Sequence, residues 1–480
     1  MFEVPLLIGG VARPSSNGAV FQRHNPFTGE VVSRVAAATL ADADSAVAAA
    51  QQAFPVWSAL GPAERRARLL EAARLLEVRS DRFMALAAET GATADWYGFN
   101  VKLAANMLRD AAGMTTQIKG EVIPSDVPGN FAMALRQPCG VVLGIAPWNA
   151  PIILGTRAIA MPLACGNTVV LKASEHSPAV HALIGEVLQE SGLGDGVVNV
   201  ISNAPEDAPA IVERLIANPA VRRVNFTGST HVGKIIGQLA ARHLKPAVLE
   251  LGGKAPFMVL DDADLDQAVE AAAFGAYFNQ GQICMSTERL IVDEHVADDF
   301  AARLQRKVLS LRAGLQGEAV LGSLIDSRAT SRVMALVEDA IEKGAVLLAG
   351  GESQGSVMQP VLLDRVTSQM RLYREESFGP VAVLIRATGD EDILRLANDS
   401  EFGLSASIFS RDTSRALTLA QRVESGICHI NGPTVHDEAH MPFGGVKSSG
   451  YGSFGSSASI DYFTQLRWVT VQNGPRHYPI

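Results

Sequence analysis

Gly140-Val141-Val142-Leu143-Gly144-Ile145 is a short apolar run of strand length, and three more follow it: Thr168-Val169-Val170-Leu171, Val197-Val198-Asn199-Val200-Ile201 and Arg223-Val224-Asn225-Phe226. Near-continuous apolar strands have to be covered on both faces, as they are in a parallel sheet flanked by helices. A helical stretch separates each run from the next, so the segment reads as the βαβ repeat of a nucleotide-binding unit. Working outward, residues 40–118 read as helical, with Ala-rich amphipathic stretches from Leu40 to Phe54 and from Pro62 to Leu86. A second αβ series begins near Leu249 and reaches about residue 450, taking in Arg289-Leu290-Ile291-Val292, Val381 to Ile385 and Ser405 to Phe409. The alternation from Phe463 to Val471 predicts an edge strand that pairs with another element or another subunit. The fold class is therefore α/β, with no internal repeat, low-complexity segment or long linker.

A chain of 480 residues is too long for one core, so two or three domains are expected. With 48% hydrophobic and 19% charged residues it has the composition of a soluble globular enzyme. A net charge of −9 argues against a nucleic-acid binder, and the cluster from Glu64 to Arg68 reads as a solvated helix face. No basic region precedes the opening apolar stretch, so no signal peptide is expected. The longest apolar stretch, Pro151 to Gly166, is broken by Arg157 and two prolines and falls short of a membrane span. Cys139, Cys165, Cys284 and Cys428 lie far apart with no CxxC pair, which speaks against a zinc cluster or a disulfide scaffold and for a reducing cytoplasm. No metal is expected. A cysteine that matters here matters as a thiolate.

Cys284 ends the run Phe278-Asn279-Gln280-Gly281-Gln282-Ile283-Cys284, where a glycine and two amides predict a tight turn presenting sulfur to a cleft. The alternative is a buried small hydrophobe. In Val248-Leu249-Glu250-Leu251-Gly252-Gly253-Lys254 a carboxylate interrupts an apolar strand. Burying it alone is costly, so Glu250 is either paired, with Lys254 the near candidate, or a general base lifted toward neutrality. In Ala146-Pro147-Trp148-Asn149-Ala150-Pro151 two prolines hold a turn whose amide could donate to a developing oxyanion. It could equally be a plain turn residue.

These segments, in order with Lys172-Ala173-Ser174-Glu175, Phe226-Thr227-Gly228-Ser229-Thr230, Glu375-Glu376-Ser377-Phe378-Gly379-Pro380 and Pro442-Phe443-Gly444-Gly445, resemble the aldehyde dehydrogenase superfamily over essentially the whole chain. The resemblance implies an aldehyde-dehydrogenase-like fold. Residues 1–117 and 139–248 would form a Rossmann-type NAD-binding domain, 249–451 a catalytic α/β domain, and 118–138 with 452–480 a β flap for assembly into a homodimer or homotetramer. It implies that Cys284 is the nucleophile that forms a thiohemiacetal and then a thioester, that Asn149 with the Cys284 backbone N–H is the oxyanion donor, and that Glu250 activates the hydrolytic water.

For the cofactor, NAD, it implies contacts from Ile145, Trp148, Lys172, Glu175, Gly228, Ser229, Leu251, Glu376 and Phe378. Gly228-Ser229 opens a helix in place of a G-x-G-x-x-G fingerprint, and its N–H groups suit a pyrophosphate. A carboxylate at Glu175 accepts from ribose hydroxyls and repels a 2′-phosphate, favouring NAD over NADP. The substrate channel would be lined by Trp96, Ala150, Leu154, Arg157, Ile283, Met285 and Phe443, with the His436-Asp437 stretch and with Tyr97 and Phe99 near Trp96. Arg157 would meet a ring hydroxyl or methoxy oxygen, or else belong to a structural ion pair.

Within the superfamily the likeness is to the aryl-aldehyde group. It implies an aromatic aldehyde as substrate: vanillin first, oxidised to vanillate, ahead of salicylaldehyde and benzaldehyde. A coenzyme A-acylating enzyme is disfavoured by Glu250, and a non-catalytic binding protein by the intact trio Asn149, Glu250 and Cys284.

Overall fold

The strands Val141–Ile145, Thr168–Lys172 and Val198–Ile201 are buried at every position because their side chains serve two cores in alternation. Val142, Val169, Leu171, Val198 and Val200 pack into one, with the helices Pro62–Val78, Ala94–Met114 and Pro151–Ala164. Val141, Leu143, Ile145, Val170 and Ile201 pack into the other, with Leu40–Ala59 and Ala208–Ala217. The computed structural model describes residues 1–314, 320–455 and 457–480.

These three strands join Val221–Thr227 and Ala247–Glu250 as five parallel neighbours in an eight-stranded sheet. An antiparallel hairpin, Leu6–Ile8 and Val11–Arg13, closes one edge, and Gly450–Tyr451 closes the other by pairing antiparallel with Ala247–Glu250. The register sets Ile145 beside Lys172 and Phe226, and Thr227 beside Glu250, so the carboxyl ends of four adjacent strands finish level. In such sheets that edge is where ligands bind.

A second sheet runs in the order Val346–Ala349, Val361–Asp364, Val381–Ala387, Thr287–Asp293, Ala255–Val259, Ser405–Phe409, Ile427–Ile430, and is parallel beyond its first strand. It too feeds two cores: Met258, Ile291 and Ile385 face one, and Phe257, Leu290 and Leu384 the other. A third, antiparallel sheet contains Glu121–Ile123, Asn130–Pro138 and Thr464–Gln472, with register from Thr464 opposite Pro138 to Gln472 opposite Asn130. The helix just before it, Ala458–Phe463, buries Ile460 and Phe463 in the core shared with Pro151–Ala164, so the late chain joins this sheet only from Thr464. Leu466 and Trp468 on its outer strand are exposed.

The opening residues are strands that the sequence reading did not assign: Phe2–Val4, Val20–His24 and Val31–Ala36 form a separate three-stranded sheet. The two early helices are Leu40–Ala59 and Pro62–Val78, the second ending before the short helix Ser80–Ala85. Among the described residues no helix is long and apolar enough to cross a membrane.

Candidate active site

Cys284 lies between the helix Leu265–Tyr277 and the strand Thr287–Asp293. The turn leading to it has three consecutive residues in the left-handed region, Asn279 (φ 47°), Gln280 (φ 55°) and Gly281 (φ 68°). Such backbone persists only where its surroundings over-determine it. Here the buried amides do so. Gln280 donates to the Ser323 carbonyl (3.1 Å) and accepts from Gly322 N–H (2.9 Å), Gln282 accepts from Ile325 N–H (3.0 Å), and Asn279 donates to the Asn149 carbonyl (3.1 Å). A Cβ at Gly281 would fall 2.1 Å from the Gly379 carbonyl oxygen, so glycine is required there on two counts.

Asn149 stands in the loop between Val141–Ile145 and the helix that Pro151 opens. Its carbonyl also accepts from the Trp96 indole (2.8 Å), and its side-chain amide donates to the Gln282 carbonyl (3.0 Å), two residues from the thiol. Glu250 ends its strand and is 1% exposed. Lys254 does not pair with it: that lysine pairs with Glu288. Neither Glu250 oxygen has a well-formed hydrogen bond among the described residues. Burial lifts its carboxyl to about 7, against the opposing pull of the Arg157 guanidinium and the Cys284 thiol and with reinforcement from Asp437. Burial and the Glu250 charge in turn push the Cys284 thiol well above its ordinary range. The two groups therefore face each other as an acid and a base, and in this state the proton stays on sulfur. Three residues far apart in the chain meet at one place.

Asn149 and Cys284 line a cavity of about 310 Å³, a size suited to a small ligand. All but one of the residues expected in the substrate channel line it: Trp96, Ala150, Leu154, Arg157, Ile283, Met285 and Phe443, along with Phe99, His436 and Asp437. Phe274, Phe278 and Val435 line it as well and were not anticipated, although Phe274 and Phe278 stand one helical turn apart just before the cysteine turn. The rings interlock, with Trp96 stacked on Phe99 (5.6 Å) and edge-on to Phe278 (5.1 Å), and Phe274 stacked on Phe278 (4.8 Å). Tyr97 corrects the sequence reading. One residue along the helix from Trp96, it turns into the core, fully buried, with its hydroxyl on Thr90 (3.1 Å). Of the two readings of Arg157 the structure shows the ion pair: it is joined to Asp437, both side chains under 10% exposed, and lies 4.2 Å over the Phe443 ring.

The expected cofactor residues gather along the level carboxyl edge of the first sheet. Ile145 and Lys172 end their strands there, and Leu251 follows Glu250, its N–H bonded to the Ser449 carbonyl (3.0 Å). Gly228-Ser229 precedes the helix Thr230–Arg242, with the Ser229 hydroxyl capping Val232 N–H. Lys172 pairs with Glu175, which also accepts from Asn203 (3.1 Å). Burial pushes Glu175 up, but Lys172 and Asn203 outweigh it and hold the carboxyl below its usual value. Glu376 accepts from Gly253 N–H (2.9 Å) and is pushed up to about 8 by burial and by Glu288. The Phe378 ring meets Trp148 edge-on at 5.8 Å. A helix start for a pyrophosphate, with two half-buried carboxyls as ribose acceptors and the paired rings of Trp148 and Phe378, fits a dinucleotide.

His181 is a further residue that the sequence reading did not single out. Fully buried, it accepts at Nδ1 from Ser174 N–H (3.0 Å) and reaches the Pro151 carbonyl from Nε2 (3.1 Å), so it is neutral and tethers the Lys172–Glu175 loop to the Asn149 loop.

The profile of the aldehyde dehydrogenase family matches residues 13–469. Vanillin dehydrogenase of Pseudomonas fluorescens is 76% identical over 482 residues, covering 100% of both chains. The NAD(+) benzaldehyde dehydrogenase of Pseudomonas putida is 38% identical, covering 99% of each. The crystal structure of a salicylaldehyde dehydrogenase from Pseudomonas putida G7 complexed with salicylaldehyde superposes with a TM-score of 0.98 at 48% identity, covering 100% of both chains.

Proposed function

The chain belongs to the aldehyde dehydrogenase family, and from that premise we propose that it oxidises an aromatic aldehyde, vanillin to vanillate foremost, with NAD and through a thioester on Cys284. The observation that carries the reading is that Cys284 and Asn149 line one cavity walled by Trp96, Phe99, Phe274 and Phe278, with the buried Glu250 carboxyl against the thiol. The aromatic walls favour a flat ring, and the names of the similar proteins point the same way.

Cys284 yields its proton toward Glu250 as sulfur attacks the aldehyde carbon, giving a thiohemiacetal. The Asn149 amide and the Cys284 backbone N–H hold the oxyanion, the arrangement that stabilises charge as it develops. A nicotinamide dinucleotide bound along the first sheet supplies the hydride acceptor. Lys172 and Glu175 would hold its adenosine ribose, Gly228-Ser229 its pyrophosphate and Glu376 its second ribose, with Ile145, Trp148, Leu251 and Phe378 around it. Glu250 must pass the thiol's proton on to solvent before it can act again; ionised, it then takes a proton from water as that water attacks the thioester, and sulfur leaves as thiolate, freeing the acid. An ionised Glu175 repels a 2′-phosphate, which supports NAD over NADP.

The domain assignment follows: 1–117 with 139–248 for the cofactor, 249–451 for catalysis, and 118–138 with 452–480 for assembly. The exposed Leu466 and Trp468 support a homodimer or homotetramer, and four free thiols fit a cytoplasmic location. Steady-state rates on vanillin, salicylaldehyde, benzaldehyde and hexanal, each with NAD and with NADP, test the proposal. Vanillin with NAD should lead in kcat/KM; a preference for hexanal would end the aromatic assignment. Cys284→Ala should abolish turnover and leave NAD binding intact.

A further inference from the structure

Glu288 is a buried carboxylate to which the reaction above gives no task. It lies on Thr287–Asp293 next to Ala255–Val259, and the register that pairs Ala255 with Thr287 brings Lys254 beside it. The two form an ion pair with side chains 1% and 4% exposed. The same carboxylate accepts the backbone N–H groups of Ser377 (2.8 and 3.0 Å) and Phe378 (3.2 Å). Successive N–H groups converging on one anion make a nest. This nest includes Phe378 at φ 46°, a conformation that a bulky residue keeps only under constraint. The segment held in this way carries Glu376, bonded to Gly253 N–H, and the Phe378 ring against Trp148. The next carbonyl, of Gly379, abuts Gly281 in the cysteine turn.

We propose that Glu288 is a positioning residue for the cofactor: anchored by Lys254, it locks the Glu376–Gly379 loop so that Glu376 and Phe378 are presented to the nicotinamide half of the dinucleotide. The inference rests on the dinucleotide reading above. A Lys254–Glu288 pair that served only to neutralise buried charge would have a different signature, because removing both partners would then restore normal behaviour.

The test uses Glu288→Gln and the double variant Lys254→Met/Glu288→Leu, with amide hydrogen exchange of the peptide carrying Ser377 and Phe378 measured without cofactor. NAD binding is followed by calorimetry, kcat and the KM for NAD are measured separately, and Cys284 alkylation by iodoacetamide is the control. In E288Q the loop amides should exchange faster and the NAD dissociation constant should rise by about tenfold or more, as expected for hydrogen bonds to a charged group. The KM for NAD should follow, while alkylation stays at the wild-type rate. The double variant leaves no unpaired charge and should melt near the wild type, yet keep the loose loop and the weak NAD binding. Wild-type loop protection and NAD affinity in either variant would overturn the proposal. Failure of the wild-type protein to bind NAD would instead sink the functional reading, and the exchange comparison would still decide whether Glu288 holds the loop.

Discussion

Replacing Glu250 by glutamine should make the protein more stable and nearly inactive at the same time, and both effects follow from its burial. The carboxyl titrates at about 7 in the folded chain against an ordinary 4.5. A folded-state value raised in this way means that the neutral acid is the form the fold favours. Its contribution is fully present below the unfolded value and is lost as pH rises through 7, because the unfolded chain ionises freely while the folded one resists. The interval from 4.5 to about 7, at ~1.4 kcal/mol per pH unit, corresponds to about 3 kcal/mol of penalty in the wild type by pH 8. Glutamine fills the same space without ionising. For a chain of 480 residues the entropy of unfolding is on the order of 1 kcal/mol/K, so the variant should melt about 3 °C higher at pH 8, with the advantage gone near pH 4.5. Scanning calorimetry of both proteins at pH 5, 6, 7 and 8 measures this directly. In parallel, wild-type thioester hydrolysis should fall about tenfold per unit below pH 7, while E250Q, which lacks the acceptor for the thiol proton as well as the base for water, should release NADH slowly in the first turnover and show almost no steady-state turnover. A variant with the same stability increment at pH 5 and pH 8, or one that turns over normally, would refute the reasoning.

Asn149→Ala should lower kcat/KM by about 10²–10³-fold, the usual loss of one oxyanion donor, measured by steady-state kinetics on the preferred aldehyde. Asp437→Asn leaves the buried Arg157 guanidinium without its partner and should cost about 3–5 kcal/mol in chemical denaturation. Tyr97→Phe removes only the bond to Thr90 and should cost about 1 kcal/mol of stability with less than about a twofold change in kcat/KM; a large kinetic effect would return Tyr97 to the substrate wall.

Much of this was legible because backbone demands leave marks in sequence. Gly281 ahead of Cys284, Gly252-Gly253 after Glu250 and the prolines around Asn149 each signal a turn that holds a side chain in place, and the apolar strands signal a sheet covered on both faces. What was not legible depends on partners distant in the chain. Lys254 looked like a mate for Glu250 because it is four residues away, whereas parallel strand pairing delivers it to Glu288. Arg157 could not be assigned from sequence because Asp437 is 280 positions away. Tyr97 was misplaced because adjacent residues on a helix point about 100° apart, so only one of Trp96 and Tyr97 can face the cavity. The strands of the first 36 residues include several only three residues long, too short for alternation to declare itself.

The strand that ends in Glu250 has its outer neighbour, Gly450–Tyr451, some two hundred residues later in the chain, and Ser449 fastens the adjoining backbone by donating to the Gly252 carbonyl at 2.7 Å. On the ribosome, therefore, Glu250 and Cys284 both emerge long before the segment that closes this edge of the sheet. A nascent chain holds a bare strand margin until Gly450 and Tyr451 are made, and a product cut short before them should be inert and prone to sticking rather than partly active. Synthesis from the amino end thus makes the arrival of Ser449 to Tyr451 a condition for closing this edge of the sheet.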